Sequence, residues 1–174
     1  MRQKITFEAF GITYRTLEFS AAEAASWMGN LEFKTPIDIL KLTSVVLYDG
    51  TEVVLDEDGI NKHVRDCIGH LPPKVVLSGI VNKVTDLNWG FLVDWKAVKI
   101  PSRFISGAAS VNSEYLPNII SRLIQSESCT LRELEEYYSL RDAFAIFDSL
   151  MAKMVNEALA NESAQKEAAK VPRR

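Results

Sequence analysis

The chain has 174 residues, 47% of them hydrophobic and 25% charged, with a net charge of −3. This is length for one domain with a core and an ordinary globular composition, which excludes global disorder. The acidic balance opposes non-specific binding of nucleic acid, and no apolar run approaches the roughly 20 residues of a bilayer span.

Met1 to Glu8 lacks the apolar stretch of a signal peptide. Cys67 and Cys129 make no disulfide framework and fit synthesis in a reducing cytoplasm. From Phe7 to Phe19 the chain alternates loosely around Gly11, which predicts one or two strands. Ser20 and Glu23 form a helix-start box for a short helix through Trp27 and Met28, stopped near Gly29-Asn30. Thr35-Pro36-Ile37-Asp38 starts another helix, with Ile37, Leu40 and Ser44 inward. Asp49-Gly50 lies between two β-branched runs, Val45–Leu47 and Val53–Leu55, a strong hairpin signal. This predicts helix to about Thr43 followed by a small hairpin. The alternative is a helix running to Tyr48 and a turn at Asp49-Gly50.

Ile60, Val64, Cys67, Ile68 and Leu71 recur at helical spacing, which predicts a helix from Ile60 to Leu71. Pro72-Pro73 ends it and opens the next, with Val76, Leu77, Ile80, Val81 and Val84 inward. Asn88 to Phe104 is aromatic and irregular, with a loop bracketed by Pro101 and Gly107. Pro117 starts a helix carrying Ile119, Ile120, Leu123 and Ile124. Two more boxes, Thr130 with Glu133 and Ser139 with Asp142, start the last two helices. The fold class that results is α+β and mainly helical, with small N-terminal antiparallel strands followed by a helical bundle. Residues 1–162 form a single globular domain. Residues 163–174, polar and alanine-rich without an apolar face, form a flexible tail.

Candidate chemistry is sparse. His63, Cys67 and His70 fall within about 60° of arc on one face of the expected helix, the spacing of zinc ligands. No fourth ligand is spaced beside them, and Cys67 fits the apolar stripe equally well, so a core cysteine flanked by boundary histidines is the preferred reading. Asp56-Glu57-Asp58-Gly59 suggests a calcium loop, but Val54 and Arg65 occupy its first and last ligand positions, so it reads as a turn of solvated acids. No glycine-rich phosphate loop, elbow serine or convergent acid–base pair is present, so no enzyme, cofactor or metal is expected. Trp89, Phe91, Trp95, Lys96, Lys99 and Arg103 interleave aromatics with cations. They read as core aromatics with a positive rim rather than as a platform for nucleic acid.

The final helix carries Leu140, Phe144, Phe147, Leu150, Met151, Met154, Val155, Ala158 and Leu159 at helical spacing. Leu140 to Leu150 reads as core. Met151 to Leu159 fits core or partner, because methionine adapts to either. Leu134-Glu135-x-Tyr137-Tyr138-Ser139-Leu140-x-Asp142-Ala143, with Leu150, Lys153 and Asn156-Glu157, resembles the C-terminal pattern of phage tail assembly chaperones. The resemblance covers about thirty residues and rests on a helix cap followed by an apolar helix.

The resemblance implies a non-enzymatic tail-morphogenesis protein in the host cytoplasm. It would bind the tape-measure protein through Phe144, Phe147, Leu150, Met151 and Met154, without nucleic acid or membrane and with room for oligomerisation. A structural baseplate or tail-hub subunit of the virion is the alternative, and a small metal-binding regulatory protein a further one. The aromatic middle and the hairpin depart from the small all-helical chaperones.

Overall fold

A computed structural model describes residues 1–104 and 113–170. The chain opens with a four-stranded antiparallel sheet in the order β1 (Lys4–Ala9), β2 (Ile12–Leu17), β3 (Thr43–Val46), β4 (Glu52–Val54). Seven α-helices are described: α1 (Ala21–Trp27) and α2 (Pro36–Leu40) between β2 and β3, then α3 (Glu57–His63), α4 (Pro73–Trp89), α5 (Asn118–Gln125), α6 (Leu131–Glu136) and α7 (Leu140–Lys170). The fold is α+β and mainly helical, as the sequence indicates.

β1 turns into β2 through Phe10 and Gly11, with φ of 55° and 77°. Positive φ at both central positions matches the right-handed twist of a two-residue hairpin. Glycine takes that conformation freely, whereas phenylalanine is strained in it. Phe10 is held by its neighbours: its carbonyl accepts the Cys67 N–H at 2.9 Å, and its ring lies against Gly79 of α4. A Cβ on Gly79 would come within 2.6 Å of that ring, so the close approach requires glycine.

The inner face of the sheet carries Phe7, Tyr14, Thr16, Val45 and, just past β4, Leu55. Phe7 stacks on Tyr14 with centroids 5.5 Å apart, and Thr43 Oγ1 bonds Thr16 Oγ1 at 2.9 Å, which satisfies two buried hydroxyls. One hydrophobic cluster joins Phe7, Tyr14, Val45 and Leu55 to Val76, Ile80 and Val84 of α4, Ile120 and Leu123 of α5, Leu134 of α6, and Leu140 and Ala143 of α7. Buried Ala21, Ala24 and Ala25 of α1 let neighbouring helices approach closely. Phe19, Trp27 and Trp89 form an aromatic cluster with centroids 4.8 to 6.1 Å apart, and the ammonium groups of Lys34 and Lys41 lie over the Trp27 ring.

Several sequence expectations change. The hairpin at Asp49-Gly50 forms, but the preceding helix stops at Leu40, and Ser44 belongs to β3. Ile37 points outward and Ile39 takes its place in the core. The helix expected over Ile60–Leu71 ends at His63. Beyond it the Asp66 carboxylate accepts the N–H groups of Ile68, Gly69 and Leu71 at 2.9 to 3.0 Å, while the Cys67 N–H goes to Phe10. A short acidic side chain has outcompeted the helical ladder for its own backbone. The Asp56–Gly59 acids are not a turn but the start of α3, with Asp56 accepting the Gly59 N–H at 2.8 Å. The expected loop from Pro101 to Gly107 lies in part outside the described residues.

Candidate functional site: the outer half of the last helix

α7 is fixed at its start. Ser139 N–H and Oγ–H both donate to the Asp142 carboxylate at 2.9 Å, and the Asp142 N–H returns to Ser139 Oγ at 3.3 Å. Ser139 also forms a β-bridge with Ser20, the Ala21 N–H donates to the Tyr138 carbonyl, and the Arg2 N–H to the Tyr137 carbonyl, both at 2.7 Å. Burial pushes the Asp142 carboxyl up. Hydrogen bonds from the N-terminal ammonium of Met1 and from Ser139 outweigh that and hold it below the usual carboxylate range. The preceding helix α6 has its own reciprocal cap, Thr130 with Glu133. These motifs, the most distinctive in the sequence, are structural anchors.

Along α7 the surroundings thin out in steps. Leu140 and Ala143 are buried among α1 and α5. Phe144 meets Phe91 and Trp95 edge-on, all three centroid distances being 5.6 to 5.7 Å, and Arg141 lies over the Phe91 ring. The irregular segment after α4 then tracks the helix: the Val98 N–H donates to Asp148 Oδ1 at 2.8 Å and Arg103 Nε to Glu162 Oε2 at 3.0 Å. This segment covers one side of α7. On the rest of the surface Phe147, Leu150 and Met151 are half-buried, while Met154 is 53% and Leu159 37% exposed. At 1.5 Å per residue the 31 residues span about 46 Å. The helix runs on through the expected tail to Lys170, with Ser163 to Glu167 exposed and Glu162 paired to Lys166; residues 171–174 lie outside the described residues.

The other candidates disperse. His63 closes α3, whereas Cys67 and His70 sit exposed in the Asp66 turn, so the three share no helix face. Cys67 is therefore not a core cysteine; the buried one is Cys129, whose thiol is pushed up by burial and by nearby Glu133. Among the described residues no three His, Cys, Asp or Glu side chains converge as a metal site. Trp89 belongs to the inner aromatic cluster, its indole N–H donating to the Ala24 carbonyl at 3.2 Å. Trp95 is packed on Phe144, and of the exposed cations of the interleaved run Arg103 is paired to Glu162. A cleft of about 360 Å³ opens between Ile12 of β2, Val45 of β3 and Leu47 just beyond it on one side and His63, Arg65 and Cys67 on the other. No helix among the described residues is long and apolar enough to cross a membrane.

Sequence reasoning missed Asn88. Its Oδ1 accepts the Phe19 N–H at 2.8 Å and its Nδ2 donates to the Val84 carbonyl at 2.9 Å, all within the core. Comparison with protein-family models, curated protein sequences and solved structures gives no match.

Proposed function

We propose that the protein is a non-enzymatic factor of phage tail morphogenesis, an assembly chaperone that shields apolar helical surface of the tape-measure protein. The observation that carries this reading is the apolar stripe of α7, which continues past the body of the fold through Leu150 and Met151 to exposed Met154 and Leu159. A pliable, methionine-bearing stripe on a long, rigidly capped helix suits the mode in which one amphipathic helix packs along another. Phe144 holds the segment Gly90–Phe104 in place, and Phe147, Leu150, Met151 and Met154 offer the contact. The family context rests on the sequence resemblance around Leu134 to Glu157.

Co-expression with a tape-measure protein tests the reading. The chain is expected to keep that partner soluble and to co-purify with it, and Met154→Asp is expected to weaken both effects without unfolding the chain. A partner that is equally soluble alone and does not co-purify would remove the chaperone reading. Mass spectrometry of purified virions separates it from a structural tail subunit, which is present there at fixed stoichiometry, whereas a chaperone is absent.

A further inference from the structure

The strand order leaves β1 with one side unpaired among the described residues. The register says which groups face that side. A two-residue turn makes Ala9 and Ile12 a hydrogen-bonded pair, and alternation makes Phe7 with Tyr14 and Ile5 with Thr16 the next ones. The N–H and C=O groups of Lys4, Thr6 and Glu8 therefore point away from β2. None of them has a hydrogen-bond partner among the described residues, and all three side chains are exposed. The open stretch has firm limits. The Arg2 N–H is already donated to Tyr137, and beyond Ala9 the chain turns at Phe10-Gly11.

We propose that β1 pairs antiparallel with β1 of a second copy of this chain, about a two-fold axis at Thr6. In that register Lys4 faces Glu8 of the partner subunit, Thr6 faces its own counterpart, and Glu8 faces Lys4 of the partner subunit. Each facing pair exchanges both backbone hydrogen bonds. The opposite charges lie directly across from each other on the solvent face, a favourable cross-strand arrangement. Sliding the register by two residues one way sets Glu8 against Arg2, whose N–H is taken; sliding it the other way sets Lys4 against Phe10 in the turn. Only the centred register uses the free groups and pairs the charges twice. A lysine on an edge strand ordinarily deters such pairing, but Glu8 makes this edge self-complementary.

Sedimentation velocity of the whole chain, from micromolar to near-millimolar concentration, tests the proposal. A concentration-dependent dimer is expected. Thr6→Pro removes an outward N–H at a position where an edge strand tolerates proline, so the variant is expected to keep the wild-type circular dichroism and sediment as a monomer. Lys4→Glu and Glu8→Lys are each expected to weaken the dimer several-fold, and the double variant to restore it. A wild-type monomer at every concentration overturns the proposal, as does a dimer indifferent to a folded Thr6→Pro variant. If Thr6→Pro does not fold, the charge series decides alone: no rescue by the double exchange overturns the pairing.

Discussion

The side-chain amide of Asn88, near the end of α4, accepts the backbone N–H of Phe19 at 2.8 Å inside the core. Phe19 lies between β2 and α1, outside the sheet ladder, so this bond gives its buried N–H the partner it needs. Asn88→Leu keeps the bulk but leaves that N–H unsatisfied. The expected loss is about 1–3 kcal/mol of unfolding free energy, read as a lower urea midpoint at unchanged slope.

Tyr14 presents the opposite case. Its hydroxyl is buried and has no hydrogen-bond partner among the described residues, and its pKa is pushed up to about 12 by burial and by nearby Cys67. Tyr14→Phe removes an unsatisfied polar atom while keeping the ring stacked on Phe7. Stability is expected to rise by about 1 kcal/mol. The folded state favours the neutral phenol, so this contribution is complete below the ordinary value of 10.0 and lost as pH rises from there towards 12. Chemical denaturation of both proteins across that range should show the wild type losing more stability than the variant.

The caps titrate the other way. The Asp38 carboxyl is lowered by the Thr35 hydroxyl and N–H, Glu133 by the Thr130 N–H and hydroxyl, and Asp66 by the N–H groups of Leu71, Gly69 and Ile68. Each folded carboxylate therefore titrates below its unfolded counterpart. Their stabilisation is complete above the ordinary values of 3.8 and 4.5 and is lost as pH falls through the lower folded values. Asp66→Asn is expected to destabilise the protein at neutral pH and to flatten the acid arm of its stability curve. Parallel acid arms for variant and wild type would show that the turn does not depend on the charge.

The two parts of α7 should respond differently to truncation. Removing the chain after Glu162 deletes a segment whose described side chains, Ser163 to Ala169, are exposed, and the expected change is within about 0.5 kcal/mol. Removing it after Leu150 also deletes half-buried Met151 and Val155 and the Glu162 partner of Arg103. That truncation is expected to lower the melting temperature and to free the segment ending at Phe104 for proteolysis. A truncated chain with unchanged melting temperature and lost partner binding would assign the stripe wholly to an interface.

Local signals in the sequence carried most of the element starts. Thr35, Thr130 and Ser139 cap helices because a hydroxyl three residues before an acid satisfies free N–H groups without tertiary help. Asp49-Gly50 and the strands around Gly11 were legible for the same reason: turn chemistry is local. What failed depended on contacts across the fold. The Ile60–Leu71 pattern has helical periodicity, yet Asp66 and the Phe10 carbonyl together claim N–H groups that a continued helix would use. Asn88 looked like one residue of an aromatic stretch because its partner lies 69 positions away. For the candidate site, the stripe from Phe144 to Met154 was legible as a stripe. Its division was not, because the Phe91 and Trp95 rings that pack on Phe144 come from an irregular segment without periodicity.

The bridge between Ser20 and Ser139, with the neighbouring bonds from Arg2 and Ala21, bears on the order of synthesis. On a ribosome the hairpin and α1 emerge long before Tyr137 and Ser139, so the N-terminal Arg2 and Ala21 N–H groups must wait for the last helices. Closing a loop of that length is entropically costly and belongs late in folding. A nascent chain arrested before α7 would hold its early strands and α1 without their final seal, with apolar surface open to other chains. Emergence of α6 and the start of α7, rather than growth of the sheet, would then be the step that commits this chain to its fold.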